Sequence, residues 1–447
     1  MNMNMGSKAT AHPKVCIIGA GSSGVTMAKH LLEREIAFDC FEGGSKLGGM
    51  WRYQNDNGMS SAYASLHIDT SRQNLGYSDF PIASDLPDFL SHAQFLKHLE
   101  DYAETNDVTR HVTFSTTVEK AVQAEDGGWT VHLSTGEVRH YQYLVVANGH
   151  LWDPRMPAFP GTFNGEVIHS HHYRTAAQFE GKSVLVVGLG NSAVDIAVDL
   201  ARRAKSVTVS TRSSAWIMPK YLMGIPVDRW SSFLSRRFGL PTRLTRMIMA
   251  RLIRLGVGDQ RRFGLKRPKH PMWREHATLS QELLPYIGHG YIKVAPNVVS
   301  LNGDRVAFED GATQAFDAII YATGYKTTFP FFEQAVFDPD GDVSNLYRRI
   351  VSASRRNLAF IGLLQPVGPT IPLVEIQAKW LAAVLAREIA MPDAEAQRRE
   401  IDNHRKRQQA TYLNSARYTL EVDFASYAGE LRRDLTSAST GKKIPAV

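Results

Sequence analysis

Short apolar runs rich in β-branched residues recur along this chain, several of them followed by a glycine-bearing turn and a stretch whose apolar positions repeat every three or four residues. VCIIG (15–19) leads through AGSSG into VTMAKHLLER, and AFDCFEGG (37–44) is the next such run. Far downstream, KSVLVVG (182–188) leads through LGNS into AVDIAVDLA, with VTVS (207–210) after it. YLVVANGH (143–150), DAIIYATGY (317–325) and LAFIGLL (358–364) are further strand-sized runs. Strands alternating with helical periodicity predict an α/β fold. Between about 216 and 275 the pattern changes to apolar and basic positions at helical spacing, which marks a helical basic insertion.

Two of these units carry glycines at a chemically meaningful spacing. Gly19, Gly21 and Gly24 form G-x-G-x-x-G between a strand and a helix. Glycine there permits a tight turn, close approach of a pyrophosphate to the backbone, and close packing of helix on strand. Glu42 ends the next run, at the offset from which an acid hydrogen-bonds an adenosine ribose. The second unit has Gly188, Gly190 and Ala193, alanine being a permitted third residue. Thr211 matches Glu42 in position and Arg212 stands beside it, an exchange that favours a 2'-phosphate and hence NADPH over NADH. The structural alternative is an arginine exposed at a strand end. Two Rossmann-like dinucleotide-binding domains are therefore expected, with the small residues of ANGH and ATGY letting the chain cross between them close to a nucleotide.

A length of 447 residues also exceeds what one hydrophobic core serves. The two cysteines, Cys16 and Cys40, fall in apolar runs and read as buried thiols; the absence of C-x-x-C argues against a two-nucleotide disulfide reductase. The opening MNMNMGSKATAH lacks the apolar core of a signal peptide and reads as a disordered lead-in, and no window reaches the length of a membrane span. A cytoplasmic location is the expectation. The net charge of +7 is concentrated rather than global, which argues against nucleic acid: between Arg229 and Lys269 the only acid is Asp259. Arg243, Arg246 and Arg254 fall near one helical face, and Leu244, Ile248, Leu252 and Leu255 on another. A solvated helix is the first reading of that pattern, with peripheral contact to an anionic membrane surface or a positive funnel for a phosphorylated cofactor as alternatives. The sequence specifies no oligomeric state.

Between the glycine loops stands FNGEVIHSHHY (163–173), with histidines at 169, 171 and 172. Apart from Glu166 no acid or cysteine cluster accompanies them, and zinc sites close with three or four ligands, so no metal is expected. Phe163, Gly165, His169 and Tyr173 instead match the fingerprint F-x-G-x-x-x-H-x-x-x-Y, and the chain resembles the class B flavin-dependent monooxygenases, which include flavin-containing and Baeyer-Villiger monooxygenases. LGGMW (47–51), ATGY (322–325), FPFF (329–332) and AFIGLLQPVGPTIPLVEIQAKW (359–380) extend the likeness from Val15 to about Trp380, and tyrosine at 173 favours the flavin-containing branch.

The resemblance implies a discontinuous FAD domain, 14–170 and 325–447, with an NADPH domain, 171–324, inserted into it. It places Gly19, Gly21, Ser22, Ser23, Gly24, Glu42, Gly49, Met50, Trp51, Ile68, Asp69, Thr70, Val118 and Gln365 at FAD. Gly188, Gly190, Asn191, Ser192, Ala193, Thr211, Arg212, Ala322, Thr323 and Gly324 would hold NADPH, and His169 would couple the domains. The implied reaction forms a flavin C4a-hydroperoxide from O2 and passes one oxygen atom to a soft nitrogen or sulfur nucleophile, a small-molecule substrate. Baeyer-Villiger oxidation of ketones and a non-catalytic flavoprotein are the alternatives. The family's usual asparagine is replaced by Asp69, the expected catalytic residue. An ionised carboxylate cannot donate a hydrogen bond, so Asp69 is either protonated by a raised pKa or acts through its charge; a turn aspartate bonding its own backbone is the structural alternative. Pro372 is expected in the first turn of a helix whose amino end faces the flavin.

Overall fold

The computed structural model describes residues 14–274, 277–412 and 419–439; the lead-in MNMNMGSKATAH lies outside them. A seven-stranded sheet runs in the order Leu346–Tyr347, Val351–Ser352, Leu358–Phe360, Tyr143–Val146, Val15–Ile18, Phe38–Phe41, Val112–Thr113. From Leu358–Phe360 onward its strands are parallel. A second sheet of five parallel strands runs Glu166–His169, Ala318–Tyr321, Ser183–Val187, Ser206–Ser210, Ile292–Ala295. The first sheet thus draws its strands from both sides of the segment that builds the second.

Continuous apolar runs make the central strands because parallel sheets are covered on both faces. Every residue of Val15–Ile18, Tyr143–Val146 and Ala318–Tyr321 is buried. Helices Ser22–Leu32 and Ile371–Leu385 cover one face of the first sheet, and an aromatic cluster containing Phe329, Phe331, Phe332 and Phe337 covers the other. Helix Asn191–Leu200 packs its alanine, valine and isoleucine face into the core of the second. Cys16 and Cys40 are buried free thiols on neighbouring strands, Cys40 lying opposite Ile17. No helix among the described residues is long and apolar enough to cross a membrane.

One expectation needs correction. The domain break placed at 170 falls too late: Glu166–His169 is the edge strand of the second sheet, and Gly161–Phe163 pairs with Val298–Gly303. The crossing lies at Asp153–Pro154, which pairs with Tyr325–Lys326, so the outgoing and returning chains run side by side. The run EVIH is too short to reveal which sheet supplies its hydrogen-bond partners, and only pairing decides that.

The insertion contains helices Val227–Phe238 and Thr242–Val257. The second turns Thr245, Met249 and Ile253 inward, where Met249 and Ile253 pack with Trp216, Met218, Leu222 and Met272. Leu244 and Leu255, which the helical spacing groups with Ile248 and Leu252, are exposed together with Arg243 and Arg254. The inward stripe follows the spacing 245, 249, 253 because methionine and isoleucine there meet the apolar wall of 216–222, whereas Leu255 is 82% exposed.

Candidate active site

A cavity of about 1280 Å³ runs from the first glycine loop to the insertion. Every residue assigned to FAD from the resemblance lines it except Gly24, which packs beneath the loop. A Cβ on Gly24 would stand 1.8 Å from the Gly19 carbonyl oxygen. One on Gly19, whose φ is +99°, would meet the Ala147 carbonyl oxygen at 2.8 Å. The turn can be built only from glycine because the next strand's backbone presses against it. Gly21 differs: its Cβ would touch only the Gly49 Cα, at 3.6 Å. Gly21 and Gly49 therefore keep a channel open where a pyrophosphate would lie, at the amino end of helix Ser22–Leu32.

Glu42 is 4% exposed and its carboxylate is already engaged. Oε2 accepts from the Ala20 amide at 2.8 Å; Oε1 accepts from the Gly44 amide at 2.8 Å and from Asn57 at 3.0 Å. It holds the loop in shape as well as facing the cavity. At the other side, Gln365 and Thr370 lead into helix Ile371–Leu385, with Pro372 in its first turn and its amino end on the cavity wall. Donors at that end suit negative charge on a ring system bound there. The chain's residues therefore fit a bound FAD: a glycine cradle, a buried acid at the ribose offset and a helix amino end across the cavity.

The second loop repeats the steric rule. A Cβ on Gly188, φ +137°, would meet the Ala322 carbonyl oxygen at 2.4 Å, so ATGY closes on this loop as ANGH closes on the first. Gly190 caps helix Asn191–Leu200, and Ala193 is buried beneath it. Of this set Asn191 alone reaches the large cavity, and its side chain accepts from the Leu279 amide at 3.0 Å. Ser192 is half-buried, and Thr323 donates to the Arg155 carbonyl at 2.6 Å. Thr211 is buried and donates to the Ser213 carbonyl, while Arg212 is exposed with no carboxylate partner among the described residues.

The fingerprint histidines do not converge on a common point. His169 is 1% exposed, its Nδ1 accepts from the His171 amide, and its ring lies edge-on to Tyr325 at 5.3 Å. Burial, then the neighbouring His171, pushes its pKa down to about 4, which leaves it neutral. His171, to which the sequence assigns no role, bridges the two halves, Nε2 donating to the Gly58 carbonyl at 3.1 Å. Tyr173 donates to Asp199 at 2.6 Å and stacks edge-on with Tyr63, which donates to Asp195 at 3.0 Å. Phe163 packs in the core between the second sheet and its hairpins, and a Cβ on Gly165 would meet the Asp317 carbonyl oxygen at 2.5 Å.

Asp69 lines the cavity between Ile68 and Thr70 and is no solvated turn residue. Burial raises its pKa, and Lys220, 3.0 Å from Oδ1, opposes that shift. Sequence reasoning did not find Lys220, because it reaches Asp69 only when the insertion folds back. The far end of the cavity is walled by Met218, Leu279, Trp273 and Phe424, with Asp228 and the Arg246–Asp423 ion pair at its polar corners. Asp228 takes hydrogen bonds from the Ser71 amide and hydroxyl and from Asn74, which ties the insertion to the segment that carries Asp69.

Known proteins decide the family. The model of the family described as flavin-binding monooxygenase-like matches residues 12–440. The chain belongs to that family. Flavin-containing monooxygenase 5 of Rattus norvegicus is 34% identical over 94% of this chain and 82% of its own length. Dimethylaniline monooxygenase [N-oxide-forming] 2 of the same organism is 32% identical over the same shares. S-allyl-L-cysteine S-oxygenase of Allium sativum superposes with a TM-score of 0.71 at 25% identity, over 95% of this chain and 88% of that one. An open structure of cyclohexanone monooxygenase shares the fold, with a TM-score of 0.73 at 19% identity over 97% and 98%. The protein is a flavin-dependent monooxygenase.

Proposed function

We propose that this flavin-binding monooxygenase holds FAD against the first glycine loop, takes its electrons from NADPH at the second, and transfers one oxygen atom of O2 to a soft nitrogen or sulfur nucleophile. The first sheet is then the FAD domain and the second, inserted sheet the NADPH domain. The flavin, once bound, supplies the electron pair and the site of O2 activation. The chain's own tasks are binding, orientation and exclusion of water. Gly21 and Gly49 leave room for the pyrophosphate, Gln365 and the amino end of helix Ile371–Leu385 face the ring, and Arg212 offers a free guanidinium to a 2'-phosphate.

The observation that carries the choice of nucleophile is the charge state beside Asp69. Attack on a ketone builds negative charge on oxygen and calls for a fixed cation there. Lys220, the cation at Asp69, is already opposed by that carboxylate and by Asp195. An amine or sulfide reacts through its own lone pair and needs only the dry wall of Met218, Leu279, Trp273 and Phe424. The N-oxide-forming and S-oxygenating activities in the names of two similar proteins support this reading. A tertiary amine, a sulfide and a cyclic ketone offered in parallel, with NADPH consumption and products followed, test it. N-oxide or sulfoxide is expected, and an ester or lactone as the main product overturns it.

The outer arc of helix Thr242–Val257 fits peripheral contact with an anionic phospholipid surface. Arg243, Met247, Arg251, Arg254 and Leu255 are all exposed there, mixing cations with apolar side chains as interfacial helices do. Co-sedimentation with phosphatidylglycerol-containing vesicles, lost in Leu255→Glu and with pure phosphatidylcholine, is the expected result. Equal sedimentation with both vesicles refutes it.

A further inference from the structure

The cavity wall that runs from Gly362 to Gly368 is held from behind by the last elements of the chain. Strand Glu421–Asp423 pairs in parallel with Gln365–Val367, and the Gln365 amide donates to the Leu420 carbonyl at 2.8 Å. Gly362 has a φ of +78°, and a Cβ there would stand 2.0 Å from Ser23 Oγ, in the first turn of helix Ser22–Leu32. The turn at Gly362 therefore has no slack toward the glycine cradle, and whatever grips its far side decides where it stands.

That grip is a chain of directed hydrogen bonds. The Gly362 amide donates to Gln377 Oε1 at 3.0 Å, Gln377 Nε2 donates to the Tyr427 hydroxyl at 2.7 Å, and Tyr427 donates to the Arg348 carbonyl at 2.6 Å. Gln377 belongs to helix Ile371–Leu385 and Tyr427 to helix Phe424–Ser439. Gln377 is fully buried and Tyr427 is 3% exposed, so bulk water offers neither a substitute partner. A tyrosine hydroxyl has one proton; Tyr427 gives it to Arg348, and its oxygen is left to accept. Gln377 must then turn its amino group toward Tyr427, which leaves Oε1 for the Gly362 amide. A flipped amide would set donor against donor at Gly362. Arg348 is anchored in turn, its guanidinium donating to both carboxylate oxygens of Asp434 on the same terminal helix, each at 2.9 Å.

We propose that Gln377 and Tyr427 are positioning residues for the flavin: Tyr427 sets the orientation of the Gln377 amide, and the amide sets the Gly362 turn at the wall of the flavin cavity. This rests on FAD lying in that cavity, the reading given above. Neither side chain lines the cavity, so both act through the turn. A wall fixed before the cofactor arrives leaves less ordering to be done on binding, which tightens the complex. The terminal helix thus takes part in holding the cofactor through a tyrosine that does not touch it.

The test compares wild type, Tyr427→Phe, Gln377→Met and the double variant as holoenzymes. Each is diluted until FAD release reaches equilibrium, followed by the fluorescence of free flavin, and the visible absorption band of the bound flavin is recorded. Each single variant should raise the Kd for FAD about tenfold, the worth of a buried hydrogen bond whose partner is left unpaired, and shift the band. Because Tyr427 acts through Gln377, the double variant should bind FAD no more weakly than Gln377→Met alone. A tyrosine with only a structural role would lower the melting temperature and leave the Kd and the band of bound flavin as in wild type; that result overturns the proposal. So does a Tyr427→Phe loss that is undiminished in the Gln377→Met background. If Gln377→Met does not fold, Tyr427→Phe, which removes a single hydroxyl, carries the test through the Kd and the band. Variants that bind FAD as wild type does refute the positioning role alone, whereas a wild type that takes up no FAD refutes the flavin site and this role with it.

Discussion

In the first glycine loop a side chain at Gly19 would strike the Ala147 carbonyl at 2.8 Å; in the second, one at Gly188 would strike the Ala322 carbonyl at 2.4 Å. The same steric rule builds both turns, yet their surroundings differ. Around the first, Glu42 spends its carboxylate on Ala20, Gly44 and Asn57, and the loop opens into a deep cavity. Around the second, Thr211 turns its hydroxyl to Ser213, Arg212 is free at the surface, and only Asn191 reaches the cavity. A loop preformed around a buried acid suits a cofactor that stays, because little ordering remains to be done on binding. An exposed cation suits a dinucleotide that arrives and leaves, because its attraction acts at a distance and costs little desolvation.

The comparison breaks most sharply at the first loop. Gly24→Ala puts a Cβ 1.8 Å from the Gly19 carbonyl oxygen and should destabilise the protein by about 3 kcal/mol or more, with loss of bound flavin. Gly21→Ala meets nothing closer than 3.6 Å and should leave the melting temperature of the flavin-free protein nearly unchanged while weakening flavin binding. Thermal melting with and without FAD separates the two; equal loss of stability in both would refute the division between packing glycine and cradle glycine.

At the second loop a smaller effect is expected, confined to the nucleotide. Arg212→Ala should raise the KM for NADPH about tenfold, the worth of one charge-assisted phosphate contact, and erase most of the preference over NADH. Its thermal stability should match wild type, since the side chain is exposed and has no carboxylate partner among the described residues. An unchanged NADPH to NADH ratio would leave Arg212 an exposed strand-end residue.

His169, on the edge strand where the two halves meet, gives the mildest effect. Burial holds its pKa near 4, while in the unfolded chain it takes up a proton near 6.5. Between those values the unfolded state binds more protons than the folded one, so the contribution is intact above pH 6.5 and is lost as the pH falls through 4. Denaturant midpoints measured across that window should decline, and His169→Phe should flatten the decline. Identical slopes in the two proteins would show that His169 is charged in the folded state.

Much of this was legible in the sequence because it depends on local sterics and short-range period. The β-branched runs became central parallel strands, G-x-G-x-x-G and its alanine variant became the two turns, and Pro372 began its helix. The edge strand Glu166–His169 was placed in the wrong half, because a four-residue run carries no mark of the sheet that will pair with it. The inner face of helix Thr242–Val257 was not legible for a related reason. Leucine and methionine both count as apolar, and which stripe is buried depends on where Trp216 and Met218 stand. Asp195 and Asp199 had a faint signal, two acids one turn apart among small and apolar residues, whereas Lys220 had none.

The amino-acid sequence by itself therefore determined the class of fold, the two nucleotide turns and the residues around the first of them, since each follows from backbone conformation and neighbours within a few tens of residues. The tertiary structure decided which chain closes on which loop, which face of the insertion looks inward, and that a lysine of the insertion meets Asp69 of the first half. Those outcomes rest on burial of charge and on pairing across more than a hundred residues, where the energy of a contact depends on what else surrounds it.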